Sequence, residues 1–173
     1  MTRTPSCTAA PPGSASIMDS TEFRRVLGHF CSGVTVITSI HDGVPVGFAC
    51  QSFQSLSLEP ALVAFSVART STTWPRIEAS GRFCVNMLSA EQERLCRDFA
   101  MSGGDKFKGV GWQPAPSGMP LLDGSLAWVD CVIQAVYEGG DHQIVVGCVE
   151  ALDAPYEGEP LLFFRGGFGR FGA

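Results

Sequence analysis

The sequence predicts a mainly β domain, an antiparallel barrel closed on itself with helices at its periphery. Six or more stretches read as strands, against about three short helices. The strands follow one another through hairpins and short loops, without the regular β-α-β alternation that signals a parallel sheet. Hydrophobic residues make up 45% of the 173 and charged residues 17%, enough apolar surface for one substantial core.

Each element follows from local chemistry. Residues 1–18 are rich in Pro, Ser, Thr and Ala and lack an apolar central run, which predicts a flexible tail before a single domain at 19–173. Asp19 or Ser20 caps a short amphipathic helix carrying Phe23, Val26, Leu27 and Phe30, ended by Gly33. Residues 34–40, VTVITSI, form a β-branched strand, and HDG at 41–43 turns it into a hairpin. VPVGFAC and ALVAFSV (61–67) are further strands. STTWPRIEAS starts a helix with hydroxyls and places Pro75 in its first turn, where the missing N–H costs nothing. RFCVNML (82–88) is a strand, and SAEQERLCRDFAM is a helix with a Ser89–Gln92 capping box. A Gly/Pro-rich loop spans 102–120, followed by strands at 125–138, 142–152 and 160–166.

Charge and composition exclude several functions. A net charge of −5 speaks against nucleic acid as partner, because phosphate binding needs a basic face. No apolar run approaches the roughly 18 residues of a membrane span. The seven cysteines are odd in number and contain no Cys-x-x-Cys, which predicts reduced core thiols in a cytoplasmic protein. His29, His41 and His142 lack metal-ligand spacing, so no metal is expected. His29 reads as a half-buried packing residue and His41 as solvated. His142 follows Gly-Gly-Asp at a strand entry, where a structural turn and a ligand-facing role both stand. No nucleophile elbow, P-loop or acid–base pair is present. That leaves chemistry done by a cofactor, or none.

One stretch stands apart. In PVGFACQSFQSLSLEP (45–60), polar residues from Gln51 alternate with Phe53, Leu56 and Leu58, and no charge occurs before Glu59. Gly47 would let a flat ring approach the main chain, while Gln51, Ser52 and Ser55 offer uncharged donors and acceptors. Downstream, Arg69, Ser71, Thr72 and Thr73 at a predicted helix start suit a phosphate, or serve only as a cap. Together the two stretches could hold the ring end and the phosphate end of a nucleotide-like ligand.

The runs FRRVLGHFCSGVTVITS, VPVGFACQSFQSLSLEPALVAFSV, STTWPRIEASGRFCVNML, DKF, GDHQIVVGCVEAL and PLLFFRGGF, in this order over residues 23–168, resemble the flavin reductases of two-component flavin-dependent monooxygenases. The match looks closest to the reductase type serving secosteroid-phenol monooxygenases, with which it shares GFACQSF. The resemblance implies a homodimeric antiparallel split β-barrel, of the FMN-binding split-barrel type. It would pass hydride from NADH to freely exchanging FAD, with FMN as the alternative, and supply reduced flavin by diffusion to a separate monooxygenase. By position, Gly47, Phe48, Ala49, Gln51 and Ser52 would line the isoalloxazine, continued by Ser66, Val67 and Ala68. Ser71, Thr72 and Thr73 would hold the phosphate, and Phe99 and Lys106 would close the site. His142, Arg165, Gly166 and Phe168 would face the nicotinamide nucleotide. No side chain is assigned a catalytic role in the hydride step beyond an assisting one for His142. Many relatives carry Tyr where Phe168 stands, but a phenyl ring can still stack. A rim without fixed charge beside the ring suits release of an anionic reduced flavin. The rival readings are a non-enzymatic flavin- or haem-binding barrel and an oxidase with permanently bound FMN.

Overall fold

The computed structural model describes residues 19–171; the predicted tail at 1–18 lies outside them. In chain order the elements are α1 (Ser20–Leu27), β1 (Ser32–Gly33), β2 (Thr35–His41), β3 (Val44–Cys50), β4 (Gln54–Leu58), β5 (Ala61–Ala68), α2 (Trp74–Ser80) and β6 (Arg82–Met87). A 3-10 turn at Ala90–Gln92 leads into α3 (Glu93–Ala100), followed by β7 (Trp112–Pro114), β8 (Pro120–Leu122), β9 (Ala127–Gly139), β10 (His142–Asp153), β11 (Leu162–Phe164) and β12 (Gly167–Gly169).

Seven strands form one antiparallel sheet in the order β3-β2-β6-β9-β10-β5-β4. The barrel is split, as the resemblance implies, rather than fully closed, because β3 and β4, consecutive in sequence, lie at opposite edges. Residues 51–53 carry the chain across the gap. Side chains close it where the backbone does not: Phe48 on β3 meets Phe65 on β5 edge-to-face at 6.1 Å. The Ser52 hydroxyl both accepts from Ser66 N–H at 2.8 Å and donates to Ser66 O at 3.0 Å.

Inward residues of alternate strand positions, among them Ile37, Val46, Phe65, Phe83, Val85 and Val145, fill the barrel, and Trp74 and Ile77 of α2 plug it. A second cluster, including Val36, Leu88, Cys96, Phe99 and Leu161, lies between the outer face of β2–β3 and α3. Strand β2 is thus covered on both faces, and its polar side chains are paired. Thr35 donates to Cys50 O at 2.9 Å and Thr38 to Pro120 O at 2.6 Å.

Several expectations change. Helix α1 stops at Leu27 with Gly28 as its cap, five residues before Gly33, and buries none of its residues. His29 is exposed rather than half-buried, its Nδ1 bonded to Arg25 O. Beyond the expected strand at 44–50, the polar stretch contains a second strand, β4. The loop at 102–120 contains the β7–β8 hairpin, which Pro114 and Pro120 concealed because proline interrupts any strand pattern. The last predicted strand is a hairpin, since Arg165 (φ 50°) and Gly166 (φ 84°) reverse the chain between β11 and β12. All six described cysteines are free, and Cys50, Cys84, Cys96 and Cys131 are buried, but Cys31 is exposed. Burial pushes the thiol of Cys96 up to about 11 and that of Cys131 to about 12, which leaves both inert.

Candidate active site

A cleft opens where the outer edge of β3, the β5–α2 connection and the loop after α3 meet. It holds two adjoining cavities of about 280 Å³ and 100 Å³ that share Thr72, Thr73 and Lys106. Ser71 is committed locally: its Oγ accepts from Trp74 N–H at 3.1 Å and starts α2. The hydroxyls of Thr72 and Thr73 make no hydrogen bond to any described residue, and Thr73 caps α2 by backbone position alone. They are two neutral donors facing open space.

Lys106 crosses the cleft. Its Nζ donates to Phe99 O at 3.0 Å and Gly47 O at 3.3 Å, and burial pulls its pKa down. The ring-lining edge is therefore not free of cations, as the sequence suggested. A partly desolvated ammonium sits on it, spent on two protein carbonyls.

Gly47 is glycine for a reason the sequence did not reveal. A Cβ there would fall 2.8 Å from Ile37 O and 2.9 Å from Cε1 of Phe99. The ring that approaches this strand is the protein's own. Phe99 is fully buried, and its link to the cleft is the carbonyl that accepts from Lys106. Phe48 and Val67 also turn their side chains into the barrel, and Ala49 packs on the second core.

The flavin set thus divides. Gly47, Phe48, Ala49, Ser71, Thr72, Thr73, Phe99 and Lys106 border the polar cleft. Gln51, Ser52 and Ser66 line a separate groove of about 990 Å³ whose walls include Leu27, Phe30, Phe53 and Ile144. After β3, only Cys50 separates Ala49 of the cleft from Gln51 of the groove. Ser52 already spends its hydroxyl on Ser66, so its first role is to pin the barrel gap.

His142 stands opposite Ala68 in the β5–β10 ladder, a few residues from Ser71. Arg69 fastens this corner by donating from N to Asp141 O at 3.0 Å and from Nε to Gly140 O at 2.9 Å, and it pairs with Glu138. His142 Nδ1 donates to Asp141 Oδ1 at 2.7 Å, which holds that carboxyl below its ordinary pKa. Nε2 is left without a partner among the described residues.

The remaining nucleotide residues lie elsewhere. Arg165 N–H bonds Gly28 O at 2.9 Å, which ties the β11–β12 turn to the end of α1. Phe168 packs edge-to-face on Phe163 at 5.3 Å, and the Arg97 guanidinium lies 4.8 Å over its ring. One stacking face of Phe168 is thus already taken. Among the described residues no hydrogen bond or ion pair joins this hairpin to His142.

Sequence reading missed Arg76, which lines the larger cavity of the cleft together with Gly103 and Gly104. Its place three residues after Thr73, on the same side of a helix start, was the signal available.

Comparison with known proteins supplies the context. A family model for a flavin reductase like domain matches residues 27–172. The reductase subunit HsaB of a flavin-dependent monooxygenase from Rhodococcus jostii (strain RHA1) is 53% identical over 153 residues, covering 88% of this chain and 78% of the relative. The crystal structure of nitrilotriacetate monooxygenase component B from Mycobacterium thermoresistibile superposes with a TM-score of 0.86 at 49% identity, covering 88% of this chain and 86% of that one. The NADH:FAD oxidoreductase SgcE6 of Streptomyces globisporus C-1027, solved with NAD and FAD fragments, gives 0.84 at 38% identity, covering 91% of this chain and 98% of that one.

Proposed function

Since the chain belongs to the flavin reductase-like domain family, we propose that it is an NADH-dependent flavin reductase whose flavin exchanges freely, with FAD taken in preference to FMN, and whose reduced product diffuses to a separate monooxygenase. The observation that carries this is the cleft itself. Two unpartnered threonine hydroxyls and a half-buried lysine border an uncharged strand edge. No nucleophile–base pair among the described residues borders the cleft.

These residues fit a flavin nucleotide. When bound, the flavin supplies a hydride acceptor for the nicotinamide. Thr72 and Thr73 hold the phosphate as neutral donors. Lys106 keeps the loop after α3 against β3 and adds one positive charge to the phosphate side. The backbone of residues 47–49 offers its outer edge to the ring, and residues 66–68 continue that wall. His142 presents Nε2 toward the nicotinamide nucleotide, with Asp141 fixing the ring orientation. The protein's share would then be to position the two rings and to exclude water.

Retention must be weak for a shuttle, and Lys106, the cation bonded to the strand edge, is already engaged by two carbonyls. We infer a cytoplasmic setting, a reading supported by the buried free thiols of Cys50, Cys84, Cys96 and Cys131. No helix among the described residues is long and apolar enough to cross a membrane. Residues 19–173 are taken as one domain, and a second copy is the partner that the exposed apolar face of α1 calls for.

The test is steady-state oxidation of NADH and NADPH with FAD, FMN and riboflavin in turn, on protein assayed for flavin as purified. NADH oxidation should accelerate many-fold on adding flavin, and the protein should purify nearly colourless. A yellow protein with stoichiometric FMN would favour the permanent-cofactor oxidase. No acceleration with any flavin would leave a binding module.

A further inference from the structure

We propose that Arg76 reads the second phosphate of a dinucleotide flavin and thereby sets the preference for FAD over FMN; the inference rests on the flavin-reductase reading above.

The larger cavity of the cleft, about 280 Å³, runs beyond the two threonines. Its walls there are Arg76 of α2 on one side and Gly103 to Lys106 on the other. Arg76 is exposed, and no carboxylate among the described residues pairs with it. Of the nine arginines among the described residues, Arg25, Arg69, Arg82, Arg97 and Arg170 are tied in ion pairs, and of the four that are not, Arg76 is the one that lines this cavity. The one acid bordering the cavity, Asp105, is turned to its own backbone, where Oδ1 accepts from Phe107 N–H at 3.1 Å. The cavity is therefore net cationic, in a chain whose overall charge is −5.

The spacing matters as much as the charge. Thr73 is helical in backbone, and its carbonyl accepts from Arg76 N–H at 3.1 Å. The two side chains consequently rise from one face of the first turn, with the threonine nearer β5 and the arginine one step further out. A monophosphate placed on Thr72 and Thr73 presents a single anionic centre. A pyrophosphate presents two in succession, and the second extends along the cavity toward the Arg76 fork. A guanidinium matches two phosphate oxygens at once, which a lysine ammonium does not. Riboflavin, lacking phosphate, should ignore both residues.

The test is flavin fluorescence quenching on titrating wild type, Arg76→Ala and Arg76→Lys with FAD, FMN and riboflavin, without pyridine nucleotide. Arg76→Ala should weaken FAD by about tenfold, the scale of one charge-assisted contact. FMN and riboflavin should stay within about twofold. Arg76→Lys should recover only part of the loss. Equal weakening of FAD and FMN would overturn the proposal, because Arg76 would then serve the shared phosphate. So would unchanged FAD binding, or a change confined to the KM for NADH. A wild-type protein that quenches none of the three would instead sink the flavin reading, and this inference with it. Since Arg76 is exposed, thermal melts of the variants should match wild type, and a matched melt excludes misfolding as the cause.

Discussion

Gly47 shows how a single missing atom sets the geometry of the cleft. Its hydrogen faces Phe99 and the carbonyl of Ile37, and Lys106 bonds its own carbonyl. Three elements converge on one residue: the neighbouring strand, the helix and the loop that closes over both. Of the two atoms a Cβ would strike, the phenyl edge could swing, but the Ile37 carbonyl belongs to the β2–β3 ladder and cannot move without breaking it. Gly47→Ala should therefore cost about 1–3 kcal/mol, as overpacking does, and should also weaken flavin binding by displacing α3 from the cleft wall. Thermal melting and a fluorescence titration check both. An unchanged melting temperature would mean that Phe99 rearranges freely.

At the scale of elements, the loop over the site is suspended between two anchors. Helix α3 holds one end through Cys96 and Phe99 in the second core. The β7–β8 hairpin holds the other, and polar groups dock that hairpin. Asn86, fully buried on β6, accepts from Leu122 N–H at 2.8 Å and donates to Thr38 Oγ1 at 3.0 Å. Asp130 on β9 accepts from Ser117 Oγ at 2.6 Å and Ser117 N–H at 2.9 Å. A hairpin of two three-residue strands has too little ladder to hold itself. Asn86→Ala would leave the Leu122 N–H buried and unpaired, so it should destabilise by about 1–3 kcal/mol. Hydrogen exchange should rise across residues 112–122 before it rises in β2 or β6. Uniform exchange across the barrel would show instead that the hairpin and the sheet open as one unit.

For the whole molecule, the exposed apolar surface is the unresolved quantity in a lone chain. Phe23, Val26 and Leu27 of α1 are about half exposed, Phe30 is 82% exposed, and Leu58 on the edge strand β4 is 92% exposed. The same helix borders the groove that holds Gln51, Ser52 and Ser66. A surface of this kind marks an interface, and a second copy over it would enclose the half of the flavin set that one chain leaves apart. In solution the protein should sediment at twice its 18.4 kDa chain mass. The double variant Leu27→Asp, Phe30→Asp should sediment as a monomer with its fold intact by circular dichroism and with flavin affinity reduced. A monomeric wild type, or a dimer indifferent to these substitutions, would place the contact elsewhere.

Much of this architecture was legible residue by residue. Apolar and β-branched runs marked β2, β3, β5, β6, β9 and β10, Asp42-Gly43 marked the first hairpin, and hydroxyls before Pro75 marked the start of α2. These signals are local, because strand period and turn chemistry act over a few neighbouring residues. What the fold alone decided depends on residues far apart in sequence. It put β3 and β4 at opposite edges, filled the notch at Gly47 with Phe99, laid Arg97 over Phe168 and turned Arg76 into the cleft beside Lys106. Which side chain meets which across a sheet is set by strand order and register, and no local pattern in the chain encodes those.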